Sequence, residues 1–399
     1  MDNEANTGYC TVVAQNYLPQ ALALYSSIQI HAPEVQLTIM VVDGNREDLE
    51  IGRPNLRVVG IDFLGLDHQE VLNLAMIYDV VEFSTSIKPL FFLALLDEFS
   101  RVVYLDPDTY LVAPLAELES VIDEHGIVLT PHFLEAIAPD SEVVSEIHSL
   151  TVGVHNLGFG AFGRESRPFL NWWWSHLRRE CLIYPLMSIF VDQKWTDVGA
   201  VLFGAHSWRH SGYNVGPWNL HERVIIRRGD ELAIESTGHP LRLVHFSGFD
   251  PRDPEAISVR LSVSLRGADG ASEEFRALCR EYATAILTAQ EVIGYPPAYG
   301  FTADTNGRRL SKRLRKTYRR DLLNDDAIKL PSPFVEAERV EFDRWRRNSY
   351  IRGLKITLAD VALAAKYALP DEFKFVQKRL PGAFSKVRTN LLESSKVRR

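Results

Sequence analysis

The segment RVVYLDPDTYLV, Arg101–Val112, decides the fold. After Arg101, residues 102–105 form a short hydrophobic stretch without polar alternation, which is typical of a strand in a parallel sheet covered by helices on both faces. Asp106 and Asp108 flank Pro107 directly after this stretch. In open parallel sheets, ligands bind beyond the carboxyl ends of the strands, so the two carboxylates stand where a binding site is expected.

The neighbouring segments extend this strand into a sheet. Strand-like runs are found in YCTVVA (9–14), VQLTIMVVDG (35–44), LRVVGIDF (56–63) and GIVLTPH (126–132). Helical spacing is found in LPQALALYSSIQIHA (18–32), SIKPLFFLALLDEF (86–99) and the aromatic segment around NWWWSHLRREC (171–181). Strand, helix and strand at this spacing predict parallel crossover units. VHNLGFGAFG (154–163) predicts a Gly-rich pair of strands.

We therefore predict an α/β fold with a Rossmann-like, mostly parallel sheet flanked by helices. The last ~70 residues, from LPSPFVEAERVEFDRW onward, favour a helical extension. Two prolines in YPPAYG, Tyr295–Gly300, indicate a boundary. The predicted domains are residues 1–295 and a basic helical region, residues 296–399.

Composition indicates a globular protein of 399 residues, 46% hydrophobic and 24% charged. The sequence holds no apolar run of about 18 residues and no signal-peptide pattern in MDNEANTGYC, so we expect a cytoplasmic protein. Cys10, Cys181 and Cys279 are far apart without metal-ligand spacing, which favours a reducing compartment and inert thiols.

Charge is concentrated at the C-terminal end. Residues 301–399 hold 24 Lys+Arg against 12 Asp+Glu, a net charge of +12, so with −8 overall the first 300 residues carry −20. Eight cations lie in GRRLSKRLRKTYRRD (307–321). Such a cluster attracts phosphates, and we expect peripheral contact with anionic membrane; the alternative is a solvated helix face. Because the acidic body would repel a polyanion, no nucleic acid partner is expected.

Asp106 and Asp108 suit a divalent metal. Two carboxylates held by a short turn are hard oxygen ligands for Mg²⁺ or Mn²⁺, which often bind substrate phosphates as well. Such a metal would neutralise charge on a departing diphosphate. The alternative is a β-turn whose aspartates cap local amides.

Six motifs taken together are more specific than this pair alone. The motifs are TVVAQNYLPQALALYSSI, YLDPDTYLV, HNLGFGAF, FVDQKW, GYNVGPWNLHER and LVHFSGFDP. In their order and rough spacing, they resemble those of bacterial GT-A glycosyltransferases related to the glycogenin and lipopolysaccharide-galactosyltransferase group, often called family 8. The resemblance covers about Thr7 to Asp253.

The resemblance implies a metal site of Asp106, Asp108 and His245. An imidazole beside two carboxylates suits Mn²⁺ better than Mg²⁺. The alternative for His245 is a core histidine with satisfied hydrogen bonds.

The resemblance also implies a donor site that binds a nucleoside diphosphate-sugar. Tyr17 would stack on the base, unless it is only the first apolar residue of the next helix. Lys88 would touch donor phosphate or sugar, unless it is exposed to solvent. The implied donor-binding residues are Ala14, Asn16, Tyr17, Lys88, Asp106, Asn156, Leu157, Asn214 and Gly248.

Asp192 and Gln193 match the motif next to the reacting sugar and are the candidate catalytic residues. If the enzyme retains the anomeric configuration, as its relatives do, one of them stabilises an oxocarbenium-like state or attacks it transiently. If it inverts, Asp192 is the candidate general base. The alternative for Asp192 is the N-cap of a helix.

The chain departs from the family pattern after His245. The family usually has a lysine there that binds the donor diphosphate, whereas this chain reads HFSGFDPRDP. Arg252, or basic residues between Lys312 and Arg320, are the candidate substitutes. Arg223 is a further candidate diphosphate ligand or, alternatively, a brace for its loop.

The sequence thus predicts a metal-dependent hexosyltransferase, with Mn²⁺ or Mg²⁺, that acts on a glycan, lipid-linked or protein acceptor. The alternatives are a nucleotidyltransferase and a non-catalytic module that binds anions or nucleic acid. A nucleotidyltransferase is expected to carry a Gly-rich phosphate loop near the first strand, which TVVAQNYLPQ lacks.

Overall fold

The protein is described by a computed structural model that covers residues 6–139, 141, 145–260, 271–294, 296–324 and 329–379. The chain divides into two compact units. The first comprises the segments up to Gly65, Ser84–Ile183 and Phe190–Gly300, and the second comprises Leu66–Phe83, Tyr184–Ile189 and the chain from Phe301 onward. Residue 295, at the predicted boundary, and residues 380–399 of the predicted extension lie outside the described residues.

The first unit contains the predicted sheet. Its seven strands are β1 (Thr7–Val13), β2 (Leu37–Val41), β3 (Leu56–Gly60), β4 (Arg101–Leu105), β6 (Ile127–Pro131), β7 (His155–Gly163) and β10 (His206–Ser207). The remaining strands are β5 (Thr109–Leu111), β8 (Ile183–Tyr184), β9 (Ile189–Phe190), β11 (Ile225–Arg228), β12 (Glu231–Ile234) and β13 (Leu243–His245).

The sheet order is β10-β6-β7-β4-β1-β2-β3, and only β7 runs antiparallel to its neighbours. The mostly parallel sheet confirms the predicted α/β fold. The strand order reverses between β1 and β4, which is the switch point where such sheets open a crevice for ligands. β5 continues from β4 after the Asp-Pro-Asp turn and pairs with β13, with Thr109 opposite His245.

Helices flank this sheet in the first unit. They are α1 (Leu18–His31), α4 (Lys88–Glu98), α5 (Leu118–His125), α6 (Ile147–Val152), α7 (Arg167–Glu180), α8 (Gln193–Phe203) and α9 (Glu273–Ile293). α3 (Val80–Ser86) precedes α4. The aromatic helix α7 packs against α4 and α8, and of its three consecutive tryptophans only Trp173 is fully buried. Consecutive residues on a helix point in different directions, so one core position in three is expected.

The predicted pair of strands at 154–163 is wrong, because the segment forms the single strand β7. Gly158 lies within the strand and allows another side chain to approach the backbone closely. A Cβ at Gly158 would lie 2.2 Å from Nδ1 of His245, so only glycine lets this imidazole lie against the strand.

The second unit is helical, with α2 (His68–Ile77), α10 (Lys312–Asn324), α11 (Arg339–Ala368) and α12 (Pro370–Arg379). These helices confirm the predicted helical C-terminal region. α10 packs against both α2 and α11.

Arg315, within the basic segment of α10, has a structural role. Its guanidinium is buried and donates to the backbone carbonyls of Ala75, Met76, Tyr78 and Phe301. Three of these carbonyls lie at the C-terminal end of α2, where free carbonyls and the helix dipole favour a cation. Part of the predicted phosphate-binding cluster is therefore used inside the protein.

Among the described residues, every helix is too short or too polar to cross a lipid bilayer. Cys10, Cys181 and Cys279 are all buried, and none forms a disulfide.

Candidate active site

The Asp-Pro-Asp turn directs the carboxylate of Asp106 away from the local backbone. The turn is closed by the main chain, because the carbonyl of Asp106 accepts from the N–H of Thr109 at 3.0 Å and from its hydroxyl at 2.7 Å. The side chain of Asp106 instead accepts a hydrogen bond from the hydroxyl of Tyr104 and lies 3.4 Å from Nζ of Lys88. Capping of local amides therefore does not explain Asp106.

Strand β13 brings His245 to these carboxylates. Its Nε2 lies 3.2 Å from Oδ1 of Asp108 and 4.0 Å from Oδ2 of Asp106. One ligand atom from each of the three residues lies within 4.8 Å of the others, which places the predicted ligands Asp106, Asp108 and His245 together. We call these three residues the ligand cluster.

Asn214 fixes the tautomer of His245. Nδ2 of Asn214 donates to the hydroxyl of Thr130 at 2.9 Å and to the carbonyl of Asn156 at 3.1 Å, so its Oδ1 faces Nδ1 of His245 at 3.0 Å. Nδ1 must then carry a proton, which leaves Nε2 as the ring nitrogen that faces the carboxylates. An imidazole nitrogen beside two carboxylate oxygens is a donor set that fits a divalent metal.

Neighbouring charges hold Asp108 ionised. Burial opposes ionisation of Asp108, but His245 and then Arg260 outweigh it and hold its pKa below the usual range. Burial raises the pKa of Tyr17, and the adjacent Asp108 carboxylate raises it further. Tyr17 therefore lies at the ligand cluster, at the N-cap of α1, rather than being only an apolar helix residue.

Lys88 is buried and is surrounded by polar groups next to the ligand cluster. Its Nζ is 2.9 Å from Oδ2 of Asp192, 3.4 Å from Asp106 and 3.4 Å from the carbonyl of Leu157. Burial would lower the pKa of Lys88, but Asp106 and Asp192 together raise it above the usual value. The solvent-exposed alternative for Lys88 is thereby wrong.

Asp192 is buried beside Lys88 and makes no side-chain capping bond to α8. Burial raises its pKa, and Lys88 opposes this rise. Asp192 does occupy the N-cap position of α8, as the alternative predicted, but its carboxylate makes no capping bond and pairs with Lys88 instead.

Gln193 is engaged at both ends of its amide. Oε1 accepts from the N–H of Leu157 at 3.1 Å, and Nε2 donates to the carbonyl of Val152 at 3.0 Å. It therefore fixes the start of β7. Asn156, on the same strand, accepts from the N–H of Gly158 through its Oδ1.

The candidate donor-binding residues that follow β1 lie at the switch point of the sheet. Ala14 is buried just after β1, and Asn16 is exposed in the following 3₁₀ turn. This turn is held by Asp43, whose Oδ1 accepts from the N–H of Gln15 at 2.8 Å.

Two arginines that the sequence offered as diphosphate ligands have other partners in the structure. Arg223 is buried and donates to the carbonyls of Tyr213 and Pro131, so it braces its loop. Arg252 is largely exposed and forms an ion pair with Asp250 at 2.9 Å.

Arg260 was missed from sequence, because nothing local marks it. A Cβ at Gly248 would lie 2.8 Å from Cγ of Arg260, so the predicted Gly248 lets this side chain cross the loop. Its Nη1 donates to the hydroxyl of Ser247 at 2.7 Å.

Tyr104, His132 and Trp218 complete the surroundings of the site. Burial lowers the pKa of His132 to about 3, so its imidazole is neutral. The Trp218 ring packs edge-on against His245, at 5.1 Å between centroids. A tyrosine in an otherwise aliphatic strand was the available sequence signal for Tyr104.

No family model matches. The chain is similar to the uncharacterized protein YfnF of Bacillus subtilis (strain 168), with 27% identity over 259 residues, covering 61% of this chain and 82% of YfnF.

Similar solved structures include three proteins described as glycosyltransferases or a galactosyltransferase. The bifunctional glycosyltransferase WbbM gives 14% identity and a TM-score of 0.42 over 74% of this chain, which spans only 52% of the WbbM chain. The galactosyltransferase LgtC gives 14% identity and a TM-score of 0.40 over 70% of this chain and 95% of LgtC. GlyE of Streptococcus pneumoniae gives 13% identity and a TM-score of 0.40 over 75% of this chain and 66% of GlyE.

Proposed function

We propose that this chain is a metal-dependent glycosyltransferase of the GT-A type that uses a nucleoside diphosphate-sugar. The observation that carries the proposal is the convergence of Asp106, Asp108 and a tautomer-fixed His245 at the sheet's switch point. The six-motif resemblance adds independent support from sequence.

The ligand cluster fits Mn²⁺, with Mg²⁺ as the second choice, because it mixes an imidazole with carboxylates. Once bound, the metal supplies Lewis-acid stabilisation of the departing diphosphate. The chain's own part is to hold the two carboxylates close together and to place Nε2 of His245 beside them.

The donor diphosphate needs a further cation on the open side of the site. Lys88 is buried between Asp106 and Asp192, so its charge is already compensated. Arg260 is exposed, and its charge acts on Asp108. We therefore assign to Arg260 the diphosphate contact that a lysine makes in the related family.

Tyr17 and the strand end at Asn156 and Leu157 form the rest of the proposed donor site. Tyr17 offers an aromatic face to the base, with Ala14 and Asn16 in the same turn. Asn156 and Leu157 are held against the ligand cluster by Asn214 and Gln193, which makes them positioned contacts for the sugar.

Transfer breaks the bond between the sugar's anomeric carbon and the diphosphate and forms one to the acceptor hydroxyl. We propose retention, with the acceptor proton passing to the leaving diphosphate. Asp192 is the favoured side chain for stabilising the oxocarbenium-like state, because the Gln193 amide is committed to the backbone at both ends. Gln193 then acts as a positioning residue.

The acceptor is proposed to be a hydroxyl of a glycan, a lipid-linked sugar or a protein, and the transferred group a hexose. A nucleotidyltransferase is disfavoured because no Gly-rich phosphate loop follows β1. A non-catalytic anion-binding module does not account for a buried lysine held between two carboxylates inside the site.

The test is a panel of nucleotide sugars incubated with the purified protein and Mn²⁺, with release of nucleoside diphosphate as the readout. We expect release from one donor, lost in Asp106→Asn and Asp108→Asn and retained in the control Asp250→Asn. Release that persists in both ligand variants would contradict a catalytic role for the cluster.

A further inference from the structure

Helix α11 presents two apolar faces. One face is buried within the second unit, where Gly353 allows close contact with α10: a Cβ there would lie 3.0 Å from Oγ1 of Thr317. The other face exposes Tyr350, Ile351, Leu354, Leu358 and Val361, whose side chains are 41–65% accessible. We call these five residues the α11 stripe.

The spacing of the α11 stripe makes it continuous. Residues 351, 354, 358 and 361 follow the three-and-four pattern that aligns side chains along one helix face. Single exposed apolar residues are common, but a contiguous exposed stripe indicates an interaction surface.

The sequence around the α11 stripe is mostly basic. Residues 344–369 hold six cations and one acid, Asp360, whose carboxylate is 2.7 Å from Nζ of Lys316. Two of the six cations, Arg346 and Arg352, form ion pairs with Asp304 and Asp321. Lys355 and Lys366 are exposed beside the stripe. A second copy of the helix would bring like charges together, whereas an anionic surface complements them.

We propose that the α11 stripe binds an anionic lipid bilayer, with its apolar side chains at the acyl boundary and its lysines at the headgroups. This arrangement is that of an interfacial amphipathic helix, and Tyr350 is of the type enriched at that depth. The inference is independent of the proposed transferase activity.

This surface differs from the one indicated by sequence. The basic segment 307–321 is partly used within the second unit, since Arg315 is buried, Lys316 pairs with Asp360, and Arg308 pairs with Asp304 at 2.9 Å. The exposed combination of apolar and basic side chains lies instead on α11.

The test is co-sedimentation of the full chain with vesicles of equal parts phosphatidylglycerol and phosphatidylcholine, compared with phosphatidylcholine alone. We expect binding to the anionic vesicles that weakens at high salt. The double variant Leu354→Glu/Leu358→Glu should abolish it. The matched control is Val201→Glu, at an equally apolar position that is 84% exposed on α8, and it should bind like the wild type.

A second double variant changes only the lysines and leaves the apolar residues of the α11 stripe in place. Its result therefore does not depend on whether the glutamate variant folds. Lys355→Gln/Lys366→Gln should weaken binding about 25-fold, roughly fivefold for each charge removed. Wild-type binding by Leu354→Glu/Leu358→Glu would overturn the proposal. So would a wild-type dimer, seen by light scattering, that becomes monomeric in this variant without any vesicle binding, because the stripe would then bind a second copy.

Discussion

At the scale of single residues, the site depends on Asn214 as much as on the ligands. Asn214 adopts a left-handed backbone conformation, φ +54°, and its amide links β7 to Nδ1 of His245. The sequence pointed to Asn214 as a donor contact, but its amide lies behind the imidazole. Its partner is 31 residues away, and no local pattern indicates that distance.

Arg260 is the residue whose assignment is most easily tested. We expect Arg260→Gln to weaken binding of nucleoside diphosphate in the presence of Mn²⁺ by about 10- to 100-fold, because a charge-assisted contact is lost. Arg260→Lys should keep part of the affinity. Calorimetric titration of both variants measures this directly.

Arg252→Gln is the matched control, since Arg252 is also exposed and follows the same strand but pairs with Asp250. It should bind diphosphate like the wild type. Equal losses in Arg252→Gln and Arg260→Gln would contradict a specific contact by Arg260, while the metal site would stand.

At the scale of elements, local pattern predicted the strands and helices well. β1, β2, β3, β4 and α1 follow directly from apolar runs and helical spacing, because the pattern that marks each of them lies within its own sequence. β7 was predicted wrongly as a pair of strands, because a Gly-rich segment does not show from its own sequence whether the chain reverses within it. Gly158 serves the packing of His245, a contact between residues far apart in sequence.

The contact between α10 and α2 gives a stability prediction. Replacing Arg315 with Gln leaves buried carbonyls at the end of α2 without donors, which should destabilise this helix by about 3 kcal/mol. Hydrogen exchange of peptides covering α2 should then become faster by roughly two orders of magnitude.

Arg313→Gln is the control on the same helix, since Arg313 is exposed. It should change exchange in α2 little, as surface substitutions usually shift stability by less than about 0.5 kcal/mol. Unchanged protection of α2 in Arg315→Gln would show that its guanidinium does not stabilise this helix.

At the scale of the whole molecule, the second unit draws on segments far apart in sequence. Leu66–Phe83 and Tyr184–Ile189 join the chain from Phe301 onward. No local signal marks these two segments, because their assignment rests on contacts with residues over a hundred positions away. The division into residues 1–295 and 296–399 stays a prediction. The candidate site was predictable in its motifs and in the ligand cluster, but not in the contacts that orient it.

If Asp106, Asp108 and His245 hold a metal that binds the donor diphosphate, binding of the diphosphate must depend on that metal. Titration of nucleoside diphosphates into the full chain with and without Mn²⁺ measures this dependence. Binding should require Mn²⁺ in the wild type and in Asp250→Asn, and it should be lost in Asp106→Asn and Asp108→Asn. Binding of equal affinity without Mn²⁺, or Mn²⁺ binding unchanged in both ligand variants, would contradict it.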